Sequence, residues 1–349
     1  MTRASALVMR PIMWLPGWLR AVLLPILGGL MALVAGALLI ALAGVDPLAA
    51  YGALFRGALG GPRQLTETTL LATPLLIIGL GLTVAFRSQV WNIGAEGQYT
   101  IGALCGGIVS LALPATPLPL LIALMLIAGL VGGGLWAGLA ALLKVRSNIN
   151  EIIGTLMLNY VAYYFLLFMA RVPLKDPSSF LPQSGKIAPL PALPNRLHIG
   201  VAIALILVPV VYVLLFKTPI GFRWRAVGSN PDVARYAGIR VNRQIVTAML
   251  FSGALAGLAG IVQVAALTGR LKDGISGNFG FTGILVALLG RLHPAGVLVA
   301  AVFFALLNNG AEAMSVSARV PVAIATVIQA FVVLFILAAD ALARRLRES

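Results

Sequence analysis

The sequence predicts an all-α polytopic membrane protein with about ten transmembrane helices. Hydrophobic residues make up 60% of the chain and charged residues only 10%, where a soluble domain is about a quarter charged. The mean hydropathy is +1.01, so a soluble fold has too little interior to hide this apolar surface. The apolar residues also gather in runs near the roughly 20 residues with which a helix crosses about 30 Å of hydrocarbon.

Ten candidate spans cover residues 21–43, 68–86, 93–111, 119–143, 152–170, 199–216, 245–267, 281–290, 295–311 and 322–339. Arg3, Arg10 and Arg20 precede the first. Its apolar run outlasts the roughly 7–15 residues of a secretory signal core, and no small-residue cleavage site stands out. A retained first helix is therefore expected. The run 281–290 is too short to cross alone. It reads as a broken or half-inserted helix, or as one that starts near Gly277.

The basic residues orient the spans. With an inner N-terminus, 16 of the 25 Lys and Arg residues fall on inner segments and 9 on outer ones, the bias expected of cytoplasmic loops. Joining the eighth and ninth spans would strand Arg344, Arg345 and Arg347 outside, so an even count with both termini inside is preferred. Ten spans divide into five and five, and an odd number per half makes any two related halves inverted across the membrane, an arrangement common in transporters. No letter-by-letter repeat is visible.

Several function classes drop out. The net charge of +15 is spread between apolar runs rather than gathered in an aromatic-interleaved patch, which argues against nucleic acid; the partner of this surface is membrane lipid. The single cysteine, Cys105, permits neither an intramolecular disulfide nor a cysteine metal site and reads as a small buried hydrophobe. His198 and His293 sit at span ends with no second ligand at metal spacing. The few acidic residues are dispersed, so no catalytic cluster, metal or cofactor site is expected. An ion-coupled carrier would want a mid-membrane acid, and Glu96 and Glu312 read as nearer span ends.

Polar residues inside the apolar runs are the candidates for function. Asn92, Glu96 and Gln98 stand with Gly94 and Gly97 between two runs. A carboxylate in lipid is costly unless it faces protein or water, so Glu96 should point into the bundle. Two readings stand: Asn92 caps the third span, with Glu96 favouring its positive end, or the segment lines the translocation path or relays motion. Asn148 and Glu151 fit a capping box for the fifth span, and Asn159 further along it needs a partner. Asn308, Asn309 and Glu312 imply a wetted interior or helix–helix hydrogen bonds. The pairs Gly102/Gly106, Gly134/Gly138 and Gly253/Gly257 put small residues on one helix face for close packing.

Two loops stand out. Residues 171–197 hold six prolines and are outside in this topology, semi-rigid and suited to a cap or docking surface. Residues 217–244 carry six basic residues and only Asp232, hence +5, and lie inside. There Ser229 or Asn230 can cap a short helix with Pro231 at its first position, Asp232 in its first turn and Gly238 as its stop. Such a helix reads as a handle for a partner, with an interfacial helix on anionic lipid as the alternative.

Residues 228–239, Gly-Ser-Asn-Pro-Asp-Val-Ala-Arg-Tyr-Ala-Gly-Ile, resemble the cytoplasmic coupling helix of ABC importer permeases, in the branched-chain amino acid, ribose and nucleoside group. Residues 91–98 (Trp-Asn-Ile-Gly-Ala-Glu-Gly-Gln), 150–160 (Asn-Glu-Ile-Ile-Gly-Thr-Leu-Met-Leu-Asn-Tyr) and 287–296 (Ala-Leu-Leu-Gly-Arg-Leu-His-Pro-Ala-Gly) are similar to the nucleoside-type branch. The likeness runs from about residue 65 to 337. Sugar permeases of the group tend to carry an Asp-Leu-Ser-Val-Gly type segment where this chain has Asn-Ile-Gly-Ala-Glu-Gly, which favours nucleosides over ribose.

The resemblance implies one transmembrane permease domain over 1–349 in the inner membrane. It implies a second permease subunit that is a relative, a cytoplasmic ABC ATPase and an extracytoplasmic substrate-binding lipoprotein. Gly228, Ser229, Asn230, Pro231, Asp232, Ala234, Arg235 and Gly238 become the expected ATPase-coupling residues, and Asn92, Glu96, Gln98, Asn159, Asn308 and Asn309 the candidate path. The chain has no Gly-x-x-x-x-Gly-Lys-Ser/Thr loop to cradle phosphate, so ATP hydrolysis is expected on the separate subunit.

Overall fold

A computed structural model describes residues 17–348. Arg3 and Arg10 lie outside the described residues, as do the side chains of Arg20, Arg344, Arg345 and Arg347. Among the described residues the fold is helical, relieved only by isolated β-bridges at Lys175–Ser184 and Ala192–His198. The helices are α1 (Gly17–Leu42), α2 (Pro47–Leu59), α3 (Pro62–Arg87), α4 (Ala95–Ala112), α5 (Leu118–Ser147), α6 (Glu151–Arg171), α7 (Ile199–Lys217), α8 (Pro219–Ser229), α9 (Pro231–Tyr236), α10 (Val241–Gln263), α11 (Phe279–Leu289), α12 (Pro294–Ala318) and α13 (Val322–Glu348).

All ten predicted runs lie on helices, and among the described residues seven helices are both long and apolar enough to cross a membrane: α3, α5, α6, α7, α10 with its following turn, α12 and α13. Helix α1 has 26 residues, whereas α11 has only eleven. Helix α4 has only 18 residues, with Glu96 in its first turn. Helices α2 and α8 have no counterpart in the hydropathy pattern. Asp46 caps α2 by accepting from Leu48 N–H at 3.0 Å, and Thr218 caps α8 by accepting from Gly221 N–H at 3.2 Å. Each is followed by proline at the first helical position, where its missing N–H costs nothing.

The chain forms two compact units, one of residues Thr66–Ala305 and one joining Leu306–Ser349 to the chain up to Leu65. In the larger, α10 packs on α4 and α5 through glycine. A Cβ on Gly257 would overlap the Gly129 carbonyl and lie 2.8 Å from Gly133 Cα, while one on Gly102 would overlap Gly257 itself. The predicted pairs at 102 and at 253/257 therefore sit at backbone contacts. On α5 it is Gly129 and Gly133, rather than Gly134 and Gly138, that come closest. Cys105 is half-buried and packs on Gly132. In the smaller unit α1 lies along α13, and Ile40, Leu54, Met314 and Ile328 belong to one apolar cluster.

Candidate functional site

Polar residues 92–98 and Asn159 meet in one buried network. The Asn92 and Gln98 amides pair reciprocally at 2.9 and 2.8 Å. Asn92 also donates to Ser252 Oγ at 3.0 Å and accepts from Gly94 N–H at 3.0 Å, so both donors and both lone pairs of its amide are engaged. Asn159 straps the segment to α6. It accepts from Gly97 N–H at 2.8 Å and donates to the Ile93 carbonyl at 3.0 Å. Asn92 thus braces the turn before α4, whose N-cap position is Gly94.

Ser252, which Asn92 reaches, lies eleven residues into α10, about 16 Å along a helix rising 1.5 Å per residue. Glu96 does not favour its own helix alone. Its Oε2 accepts from Gly280 N–H at 2.8 Å, at the start of α11, where orphan N–H groups and the helix dipole welcome an anion.

The capping box expected from Asn148 and Glu151 is displaced. Asn148 ends α5 in the left-handed region, φ +53°, a conformation asparagine tolerates. Asn150 caps α6 by accepting from Ile152 N–H at 2.9 Å. Glu151 pairs instead with Lys144 at 2.5 Å.

Residues 217–240 fold as two short helices. Asn230 Oδ1 accepts from Asp232 and Val233 N–H at 3.0 and 3.1 Å. Pro231 opens α9 and Asp232 pairs with Arg235 at 2.8 Å. Gly238 holds φ +81° after it, as a helix stop requires. Ala234 is the buried side of α9, while Val233 and Tyr236 are 63% and 97% exposed. Helix α8 anchors the pair: Trp224 is buried and donates from Nε1 to Thr247 at 3.0 Å.

Sequence reading missed the junction beneath this loop, because it counted Arg87 only as a positive charge at a span end. Gly228 packs directly on the Arg87 carbonyl. The guanidinium groups of Arg87 and Arg225 lie 4.9 and 5.3 Å from the Phe216 ring centroid. Arg87 Nε donates to the Leu292 carbonyl at 2.6 Å. His293 packs against the rings of Phe216 and Tyr212.

The proline-rich residues 171–197 are laced to the chain after α10. Ser184 N–H donates to the Leu271 carbonyl at 2.9 Å, Ile187 N–H to Gly269 at 2.9 Å and Leu190 N–H to Ala265 at 3.2 Å. Arg270 reaches Asp176 at 2.6 Å. The Ser178 hydroxyl first, then the Arg270 guanidinium, holds the Asp176 carboxyl at about 2, below its ordinary 3.8. His198 begins α7, its Nδ1 accepting from Gly200 N–H at 3.1 Å.

Asn308 and Asn309 belong to the smaller unit. Asn309 is buried and donates to the Gln64 carbonyl at 3.1 Å. Gln329 donates to the Leu307 carbonyl at 3.2 Å, so helix–helix hydrogen bonding operates here. Glu312 is exposed. Among the described residues no group of three or more His, Cys, Asp or Glu residues stands at metal-binding distance.

The profile of the family described as "Branched-chain amino acid transport system / permease component" matches residues 64–337. The chain is 35% identical to a glucose ABC transporter permease protein, TsgB13, of Haloferax volcanii, over 93% of this chain and 89% of that one. It is 33% identical to the guanosine ABC transporter permease protein NupP of Bacillus subtilis (90% and 92% covered). It is 32% identical to the nucleoside ABC transporter permease protein NupB of Lactococcus lactis (91% of each). No solved structure matches. Long apolar helices and a match spanning most of the sequence converge: this chain belongs to the branched-chain amino acid transport system permease family and is a multi-pass membrane permease subunit of an ABC transporter.

Proposed function

We propose that this permease imports nucleosides across the inner membrane, driven by ATP hydrolysis on a separate ABC ATPase. The observation that carries the coupling is α9. Asn230 and Pro231 fix its start and Gly238 its end, Ala234 pins one face, and Val233 and Tyr236 stand free in a basic loop. An exposed aromatic and an exposed branched residue on a rigid, anchored helix suit a groove on a partner. In this reading 217–244 is the cytoplasmic coupling loop, with Gly228, Ser229, Asn230, Pro231, Asp232, Ala234, Arg235 and Gly238 at its ATPase contact. Both termini are cytoplasmic, and ten membrane segments, including the half-length α11, form two inverted five-helix halves within one permease domain.

The remaining assignments follow from that frame. Residues 171–197 face outward, where their lacing to 265–271 presents a firm surface for a substrate-binding lipoprotein. A second, related permease subunit completes the pore, in keeping with the nucleoside permeases NupB and NupC, both of Lactococcus lactis. Asn92, Glu96, Gln98 and Asn159 relay motion beside the path, and Asn308 and Asn309 border it. A sugar substrate is the second reading, favoured by the 35% identity to the glucose permease protein. Uptake of labelled guanosine by cells carrying the transporter, competed with unlabelled nucleosides, ribose and glucose, tests the assignment. Competition by nucleosides alone supports it; competition by glucose alone replaces it with the sugar reading. Co-purification of an ATPase tests the coupling role.

A further inference from the structure

Helix α11 has eleven residues, about 16 Å of helix. A helix this short leaves orphan N–H groups at one end and orphan carbonyls at the other, and buried orphans need partners. The last carbonyls are met by the turn that follows, Gly290 N–H donating to Val286 and Leu292 N–H to Ala287, and the helix start and that turn are held from the two flanks of a single segment, 88–95. At the start, Glu96 accepts from Gly280 N–H at 2.8 Å. Gly280 has no room for a side chain, since a Cβ there would overlap the Glu96 backbone. Beyond the other end, Arg87 Nε donates at 2.6 Å to the Leu292 carbonyl, in a turn where Arg291 and Leu292 both hold φ +53°. Arg87 is also the residue on whose carbonyl Gly228 rests.

We infer that α11 and segment 88–95 form one clamped unit, with Arg87 and Glu96 as its positioning residues, and that the loop 217–240 moves this unit as a single piece. The movement rests on the coupling role proposed above; the clamp does not. A push on Gly228 reaches Arg87 by direct backbone contact. From Arg87 it passes to the Leu292 turn and along 88–95 to Glu96, and so to both ends of α11 together. The start of α11 is then displaced by a push applied at the far end of the segment.

The test compares hydrogen exchange in the full-length wild-type chain with that of Glu96→Ala and Glu96→Gln, the second of which keeps an oxygen to accept from Gly280. For a clamped unit, Glu96→Ala speeds exchange at least tenfold at both ends, in peptides covering 278–283 and 288–294, and Glu96→Gln restores most of the protection. Faster exchange confined to 278–283 would overturn the clamp, leaving Glu96 a local cap. Should Glu96→Ala fail to accumulate, Arg87→Met, which keeps the stem and removes the donor, runs the test in reverse. Its exchange must then rise at 278–283, and exchange confined to the Leu292 turn refutes the clamp. In the assembled transporter, Glu96→Ala should raise ATP consumed per substrate imported at least fivefold at normal membrane levels, with rescue by Glu96→Gln. An unchanged ratio overturns the single-piece movement. Exchange needs neither ATPase nor substrate, so a wild-type chain that associates with no ATPase would defeat the coupling reading while leaving the clamp to be judged by exchange alone.

Discussion

Replacing Gly228 with alanine tests whether the loop and the pore segment are in mechanical contact. The added Cβ would overlap the Arg87 carbonyl oxygen, and would stand 2.8 Å from its carbon and 3.1 Å from Ser88 Cα. Carbon atoms rest at about 3.5–4.0 Å, and all three obstacles are backbone, so no side chain can swing away. Helix α8 must back off by roughly 1 Å, yet Trp224 ties it to Thr247. Overpacking of this kind costs about 1–3 kcal/mol, which is about a 5- to 150-fold shift against the packed junction. The expected outcome is a chain that inserts normally and binds its ATPase, but imports at least fivefold less substrate per ATP. Gly154→Ala is the control, because its nearest neighbour, Ile149 Cγ2, lies at an ordinary 3.7 Å. Substrate uptake and phosphate release from reconstituted vesicles measure the ratio. A Gly228→Ala transporter with the wild-type ratio would refute transmission through this contact.

Three further outcomes are expected. Asn230→Ala removes the cap of α9 at about 1 kcal/mol and weakens ATPase capture roughly fivefold, measurable by pull-down titration. Gly257→Ala forces α10 off Gly129 and Gly133 at about 1–3 kcal/mol and lowers the melting temperature in detergent by roughly 2–10 °C, while Gly29→Ala, with open space around its Cβ, leaves it unchanged or slightly raised. Asp176 has its folded-state value depressed from 3.8 to about 2. Its contribution to holding the proline-rich loop is therefore complete above about pH 4 and lost as the pH falls through 2. Proteolysis of that loop by an acid-tolerant protease should accelerate only toward pH 2, and Asp176→Asn should abolish the step.

Much of the fold is written in residues with one physical option. The apolar runs have nowhere to go but lipid, and Asn230, Pro231 and Gly238 delimit α9 as their capping chemistry requires. Helices α2 and α8 escaped a hydropathy reading because they are short, yet Asp46-Pro47 and Thr218-Pro219 announce their starts. The cap moved by two residues because Asn148 and Asn150 are equally good caps in sequence, and only the turn between α5 and α6 decides which is left-handed. Glu96 was legible as a buried carboxylate seeking a positive helix end; that the end belongs to α11, far along the chain, is a tertiary fact without a local signal. Arg87 was hidden in the same way, its partners Leu292 and Gly228 being supplied by packing.

The most direct test of the account asks on which side of the membrane α9 lies and whether a partner covers it. Tyr236 is nearly fully exposed, and Cys105 is the single native cysteine, so Tyr236→Cys in a Cys105→Ser chain gives one reporter thiol on the helix. The account predicts that a membrane-impermeant maleimide leaves it unlabelled in intact cells, labels it in inside-out vesicles stripped of peripheral proteins, and is blocked when the ATPase is bound. Labelling in intact cells would contradict it.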